Sequence, residues 1–168
     1  QGINYLAKKV NADVMALGHN LDDMAQTVLM NMSNGDLERT LRLAPHTNTP
    51  IDGLPPRIVP LRWIPEQEVH LYAVQKNLPI HHEECPHARG ALRWRHREMV
   101  AMMEADVPGT RHGLIRMADN VKDLRNQIVD LGGHESRPSP PQECPVCGSM
   151  TSNDQCKACE MREMVKDE

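Results

Sequence analysis

Strand-like and helix-like segments alternate along residues 1–133, helix N-termini follow directly on the strands, and two CxxC pairs close the chain. Together these predict an α/β domain, a parallel sheet with flanking helices, followed by a small zinc finger at 144–161. Pro138, Pro140 and Pro141, with Ser136 and Ser139, mark residues 134–143 as the linker between them.

Ile3, Leu6, Ala7 and Val10 recur at helical spacing, and Ala12 to Leu17 is a short apolar run ending at Gly18, which reads as helix, turn and buried strand. Leu21, Met24, Ala25, Val28, Leu29 and Met32 then fall at i, i+3, i+4, i+7, i+8 and i+11, the pattern of an amphipathic helix. Asn20 is its predicted N-cap, with Asp22 and Asp23 in the first turn where carboxylates suit the helix dipole. Ser33, Asn34 and Gly35 end it, and Asp36 caps a shorter helix through Leu43. The Pro-, Thr- and Asn-rich stretch from Ala44 to Pro60 predicts a long loop, overlapping a short or edge strand over Arg57 to Trp63 that Pro60 interrupts. Pro65 opens a helix carrying Glu66, Glu68, Val69, Tyr72, Ala73 and Val74. Pro79 to Glu83 is a further strand, leading directly to Cys85. Helices from about 88 to 105 and about 114 to 131 flank the turn Pro108-Gly109-Thr110, and the first places Leu92, Met99 and Met103 on its buried face. Past the second CxxC pair the chain runs out in a polar stretch.

A length of 168 residues accommodates one ordinary domain and a small appendage. With two Trp, two Tyr, no Phe and eleven Met, the core rests on aliphatic side chains and adaptable thioethers. The net charge of -4 excludes a uniformly basic nucleic-acid binder, yet Pro86 to Arg97 holds four Arg and two His with no acid, so a local basic face toward RNA is predicted. No signal peptide opens the chain and no apolar run reaches membrane length, which predicts a cytoplasmic protein without a membrane partner. The chain starts with Gln inside a helical pattern, as a piece of a longer protein would.

The chemistry is carried by four groups of residues. Cys144, Cys147, Cys156 and Cys159, two CxxC pairs with eight residues between them, can close a tetrahedron of thiolates around one zinc ion. The alternative, two disulfides, requires an oxidising compartment that nothing in the chain indicates. Gly18-His19-Asn20-Leu21-Asp22-Asp23 lies where a strand ends and a helix begins, the place where open α/β sheets collect ligands. Its two acids can hold magnesium on a nucleotide's phosphates or act as a base, with His19 and Asn20 donating to the same ligand, or the segment is simply a capped helix start. Cys85, amid His81, His82, His87 and Arg89, is in a setting that favours thiolate, although a lone Cys also serves as a small buried apolar residue. Arg89, Arg93 and Arg97 at i, i+4 and i+8 form either a stripe that follows a phosphate backbone or a solvated helix face.

The blocks GHNLDDMAQTVLMNMSNGDLERTLRL, PRIVPLRWIPEQEVHLYAVQKNLPI, CPHARGALRWRHRE, PGT and CxxC…CxxC, in this order, resemble the tRNA 2-thiouridine synthetases of the TtuA and cytoplasmic tRNA 2-thiolation protein type, which are PP-loop ATPases. The resemblance covers nearly the whole chain, and it departs at His87, where relatives carry Tyr, and at Asn34, where many carry Arg. It implies the C-terminal part of a Rossmann-like PP-loop ATPase domain, without the early phosphate loop and an upstream CxxC pair. The implied activity is ATP-dependent adenylation of the uridine C2 oxygen followed by sulfur transfer, the isolated piece being inactive. The resemblance further implies that Gly18, His19, Asn20, Asp22 and Asp23 lie on the ATP and magnesium side, and that Asp22, Asp23 and Cys85 are catalytic. Cys85 is implied to share an iron–sulfur cluster with upstream cysteines, Cys144, Cys147, Cys156 and Cys159 to bind zinc, and Arg89, Arg93 and Arg97 to contact tRNA. A ubiquitin-like sulfur carrier and a homodimer are further partners consistent with it. A tRNA 2-thiocytidine synthetase and a non-catalytic zinc-finger adaptor that binds RNA are the competing readings.

Overall fold

The computed structural model describes residues 2–43, 45, 55–81, 92–132, 142–151 and 153–166. In chain order its elements are α1 (Gly2–Lys9), β1 (Met15–Ala16), α2 (Leu21–Ser33), α3 (Leu37–Leu41), β2 (Arg57–Ile58), α4 (Glu66–Gln75), α5 (Leu92–Asp106), α6 (Thr110–Asp130), β3 (Gln142–Glu143), β4 (Met150–Thr151) and α7 (Lys157–Lys166).

β1 and β2 pair in parallel, Met15 opposite Arg57 and Ala16 opposite Ile58. The Met15 and Leu17 N–H groups donate to the carbonyls of Pro56 and Ile58 at 2.8 and 2.9 Å. The expected parallel sheet is therefore present, but both strands are shorter than the apolar runs that announced them. The second stops before Pro60, which has no N–H for a ladder, and residues 60–63 form a turn instead. Within the expected strand at 79–83, residues 79–81 are not a strand, and 82 and 83 lie outside the described residues.

α2 is the central helix, packed against α3, α5 and α6. Its buried Leu21 and Met24 meet Ile115 of α6, with Leu43 against them, while Ala25, Val28, Val100 and Ala118 are buried as well. Each large aliphatic side chain so covered contributes about 1.5–3 kcal/mol. The expected apolar face holds through Val28, but Met32 is exposed and the polar Gln26 and Asn31 are buried. A helix covered on more than one side buries positions outside its apolar stripe, and Gln26 is covered by α5, whose Arg93 donates to it at 3.3 Å.

α5 corrects the expectation in its own register. Leu92, Met99 and Met103 are exposed, and His96 and Val100 are the buried positions. The buried side of α5 is part polar: beside Val100, His96 Nε2 meets Ser33 Oγ of α2 at 3.3 Å, while its Nδ1 meets the Leu92 carbonyl of its own helix at 2.8 Å. Apolar periodicity could not find a face assembled partly from hydrogen-bonding groups. α6 starts at Thr110, four residues before the expected Leu114, because Gly109 at φ 93° turns the chain in a left-handed conformation that suits glycine. On α1 the expected stripe of Ile3, Leu6 and Val10 is exposed and only Ala7 is buried.

The C-terminal module is a short antiparallel hairpin, Gln142 opposite Thr151 and Glu143 opposite Met150, with the first CxxC pair in its turn. The polar stretch expected after the second pair is helical: α7 begins one residue after Cys156 and carries Cys159. The linker over 134–143 lies mostly outside the described residues, and its last two residues form β3. Among the described residues no helix is long and apolar enough to cross a membrane.

Candidate functional site

Parallel pairing of β1 and β2 opens their carboxyl ends on one side, and there exposed Gly18 and His19 lead into α2. Asn20 and Asp23 form a reciprocal capping box: the Asp23 N–H donates to Asn20 Oδ1 at 3.0 Å, and the Asn20 N–H to Asp23 Oδ2 at 3.2 Å. The neighbouring carboxylate does different work. Asp22 Oδ1 accepts from Arg111 Nη1 at 2.8 Å, and its Oδ2 accepts the Glu66 N–H at 2.7 Å. The Leu21 N–H donates to the Ile64 carbonyl at 3.0 Å. Asp22 thus ties together the first turns of α2, α4 and α6.

Glu104 completes the junction from α5, accepting the N–H groups of Gly109 and Arg111 at 2.9 and 2.8 Å. Burial acts to raise its carboxyl pKa, but the N–H donors of Arg111 and Gly109 and the nearby charges of Arg111 and His112 prevail and hold it below its ordinary value. The Arg111 guanidinium lies between two carboxylates, its Nε 3.6 Å from Glu104 Oε2. Asp22 and Arg111 are mostly buried, at 16% and 19% side-chain exposure, whereas Asp23 is 33% exposed. Of the acidic pair, Asp23 is the carboxylate more open to a ligand.

Arg93 belongs to the same neighbourhood. It donates to the Asp23 carbonyl and Thr27 Oγ1, both at 3.1 Å, and to Gln26 Oε1 at 3.3 Å, with Asp23 Oδ1 at 3.6 Å. Arg97 pairs with Glu66 at 3.0 Å, both half exposed. These two arginines therefore face α2 and α4 and are engaged within the fold. Cys85 and Arg89 lie outside the described residues.

Below the junction, Arg62 makes a bidentate pair with Asp119 of α6 at 2.8 and 2.6 Å. Its guanidinium lies 4.9 Å from the centre of the Trp63 ring, and that ring is parallel to His112 within 10°. Arg62, Trp63, Glu66, Glu104, Arg111, His112 and Asp119 were not singled out as site residues from the sequence. Starting α6 at Leu114 put Arg111 and His112 in a turn, and recognising Gly109 as the helix-opening residue would have recovered them.

The four C-terminal cysteines come together as expected, their sulfurs all within 4.8 Å of one another. Cys147 and Cys156 sulfurs are 3.6 Å apart, close to the separation of about 3.8 Å that ~2.3 Å bonds to one tetrahedral zinc impose. The N–H groups of Cys156 and Cys159 donate to the sulfurs of Cys144 and Cys156, each at 3.4 Å, as suits thiolate ligands. Hydrogen bonds from Ser149 lower Cys147 to about 6, and the N–H of Cys156 lowers Cys144. Cys159, hydrogen-bonded to Cys156 and surrounded by the other sulfurs, is pushed up to about 12. Four thiols this close cannot all ionise without a cation among them, so the donor set fits one metal ion.

No protein-family profile matches the chain. It is 36% identical over 169 residues to the tRNA 2-thiolation protein NcsA of Haloferax volcanii, an alignment covering 95% of this chain and 50% of that protein. The chain is homologous to the tRNA 2-thiolation proteins. Cytoplasmic tRNA 2-thiolation protein 1 of Bos taurus is 35% identical over 153 residues, 91% of this chain and 42% of that protein. Among solved structures, the U34-tRNA thiolase NcsA from Methanococcus maripaludis, described with its 4Fe-4S cluster, superposes with a TM-score of 0.72 at 27% identity. That superposition covers 96% of this chain and 49% of the thiolase chain. The chain spans about half the length of the relatives it matches, 50% and 42% for the two proteins above. The α/β fold of this chain, a small parallel sheet with helices over it, is thus similar to that of the NcsA thiolase.

Proposed function

We propose that this chain is part of a tRNA uridine 2-thiolation enzyme acting in the cytoplasm, one that adenylates the uridine C2 oxygen with ATP and then transfers sulfur. The supporting observation is the 36% identity to a tRNA 2-thiolation protein along 95% of the chain, within which the Gly18–Asp23 segment sits at the carboxyl end of β1. A carbonyl oxygen is a poor leaving group; its attack on the α-phosphorus of ATP forms an O–P bond, breaks the bond to the β-phosphate with release of pyrophosphate, and makes that oxygen part of a departing AMP. Sulfide equivalents then attack C2, and the C–O bond breaks as the C–S bond forms.

In this reading Gly18, His19 and Asn20 approach the nucleotide from the N-terminus of α2, whose free N–H groups favour anionic phosphates. Asp23 faces that ligand, and Asp22, held by Arg111 and Glu66, fixes the loop's position. Magnesium, when bound with ATP, offsets phosphate charge at these carboxylates. Cys85 is the sulfur-handling thiol and one ligand of an iron–sulfur cluster whose other ligands lie elsewhere in the complete protein. Such a cluster, when bound, supplies a sulfur nucleophile without free sulfide. Cys144, Cys147, Cys156 and Cys159 hold a structural zinc, which braces the hairpin against α7. This module and the basic segment of Arg89, Arg93 and Arg97 meet the tRNA, with Arg93 and Arg97 exchanging their intramolecular partners for phosphate. A ubiquitin-like protein with a C-terminal thiocarboxylate is the proposed sulfur donor, and a homodimer the proposed assembly.

The test is thiolation by the complete encoded protein, anaerobically, with ATP, a sulfur donor and tRNA, read by mass spectrometry of digested nucleosides. ATP-dependent 2-thiouridine is expected, lost in Cys85→Ala with ATP binding retained. Tight tRNA binding without any thiolated nucleoside would replace the enzyme by a binding module, and 2-thiocytidine would replace the substrate.

A further inference from the structure

The segment between β2 and α4 presents an aromatic ring beside the acidic junction. Trp63 is 45% exposed. Its ring stacks on His112 with centroids 6.2 Å apart and planes 10° from parallel. The Arg62 guanidinium sits 4.9 Å from the ring centre and is itself clamped by the bidentate Asp119 pair. The indole is therefore held in orientation by an anchored cation and a parallel imidazole, while nearly half of the side chain stays open.

Its location adds to this. Ile64, the next residue, accepts the Leu21 N–H, and Arg111, the residue before His112, holds Asp22. The ring thus borders the carboxyl ends of the two parallel strands and the first turns of α2 and α6, where an open α/β sheet receives ligands. A rigid, amphipathic π-surface flanked by a cation is the arrangement on which nucleobases stack.

We infer that Trp63, braced by Arg62 and His112, is a stacking platform for a nucleobase. The inference deepens the proposed function by naming where a base rests, and it takes either the adenine of a nucleotide or an unpaired base of an RNA loop. It assigns Trp63 a binding role and Arg62 and Asp119 a positioning role.

The chain has two tryptophans, so Trp94→Phe leaves Trp63 as the single indole reporter. This variant is titrated with ATP, with a uridine-containing tRNA stem-loop, and with the same stem-loop made abasic at the loop positions. Saturable quenching of Trp63 by ATP alone assigns the platform to adenine; quenching by the intact stem-loop but not the abasic one assigns it to an RNA base. Trp63→Ala, read by filter binding or calorimetry, is expected to weaken that ligand about tenfold or more, and Trp63→Tyr to retain most of the affinity. Asp119→Asn should leave quenching present but weaken binding less than Trp63→Ala does. No quenching by either base-bearing ligand, equal quenching by the abasic RNA, or unchanged affinity in a folded Trp63→Ala overturns the inference. Failure of thiolation with quenching intact would sink the proposed reaction and leave the platform standing.

Discussion

Asp22→Ala tests whether the acidic loop is organised by the junction described above. The substitution removes two charge-assisted hydrogen bonds, from Arg111 Nη1 at 2.8 Å and from the Glu66 N–H at 2.7 Å. It also leaves a guanidinium only 19% exposed, with Glu104 at 3.6 Å as its remaining acid. Breaking a largely buried ion pair by removing one partner costs about 3–5 kcal/mol. That is a large fraction of the ~5–15 kcal/mol that holds an ordinary domain together. Urea denaturation followed by circular dichroism reads the loss as a lower midpoint at unchanged slope. The double-mutant cycle with Arg111→Met separates the pair from its surroundings, and a coupling of about 1–3 kcal/mol is expected. Should Asp22→Ala prove too unstable to measure, Asp22→Asn, which keeps one acceptor, gives a milder loss on the same scale. A loss under about 1 kcal/mol, or strict additivity with Arg111→Met, would show that the three helix starts are not tied through Asp22.

Other perturbations reach the remaining features. Glu104 is held below its ordinary pKa of 4.5, so its contribution to stability is present above that pH and lost as the pH falls through the lower folded value. Glu104→Gln should therefore flatten the acid limb of a stability-against-pH curve, and an unchanged limb would remove Glu104 from the network. Cys147→Ser, or chelation, should release one metal ion per chain by mass spectrometry of the native protein and leave the helices around α2 folded by circular dichroism. Cooperative loss of all helical signal would show that the two parts are not independent. Arg97→Ala, with a side chain 53% exposed, should reduce the salt slope of tRNA binding by about one. Arg93→Ala should reduce that slope as well and in addition lower stability, because its contacts to Asp23, Gln26 and Thr27 bridge α5 to α2.

Local physics wrote much of this molecule legibly into the chain. The period of Leu21, Met24, Ala25 and Val28 and the Asn20 cap define α2 from nearest neighbours alone, and the capping box forms between residues three apart. The two CxxC pairs likewise announce their cluster, because the turn that joins each pair is short. What no local rule could supply are partners distant in sequence. Asp22 and Arg111 are 89 residues apart and Arg93 and Gln26 are 67 apart, and their attraction exists only once the helices have packed. The same distance explains why α5 turned His96 rather than Met99 inward: its neighbour on α2 offers Ser33, and a hydrogen-bonded seam carries no hydrophobic period. Residue types and spacing therefore determined which groups of chemistry the chain carries. Packing decided that Asp22 is a buried tie and left Asp23, capped locally by Asn20, the more exposed acid, since a carboxylate's role depends on which cations and N–H groups the tertiary fold brings within about 3 Å.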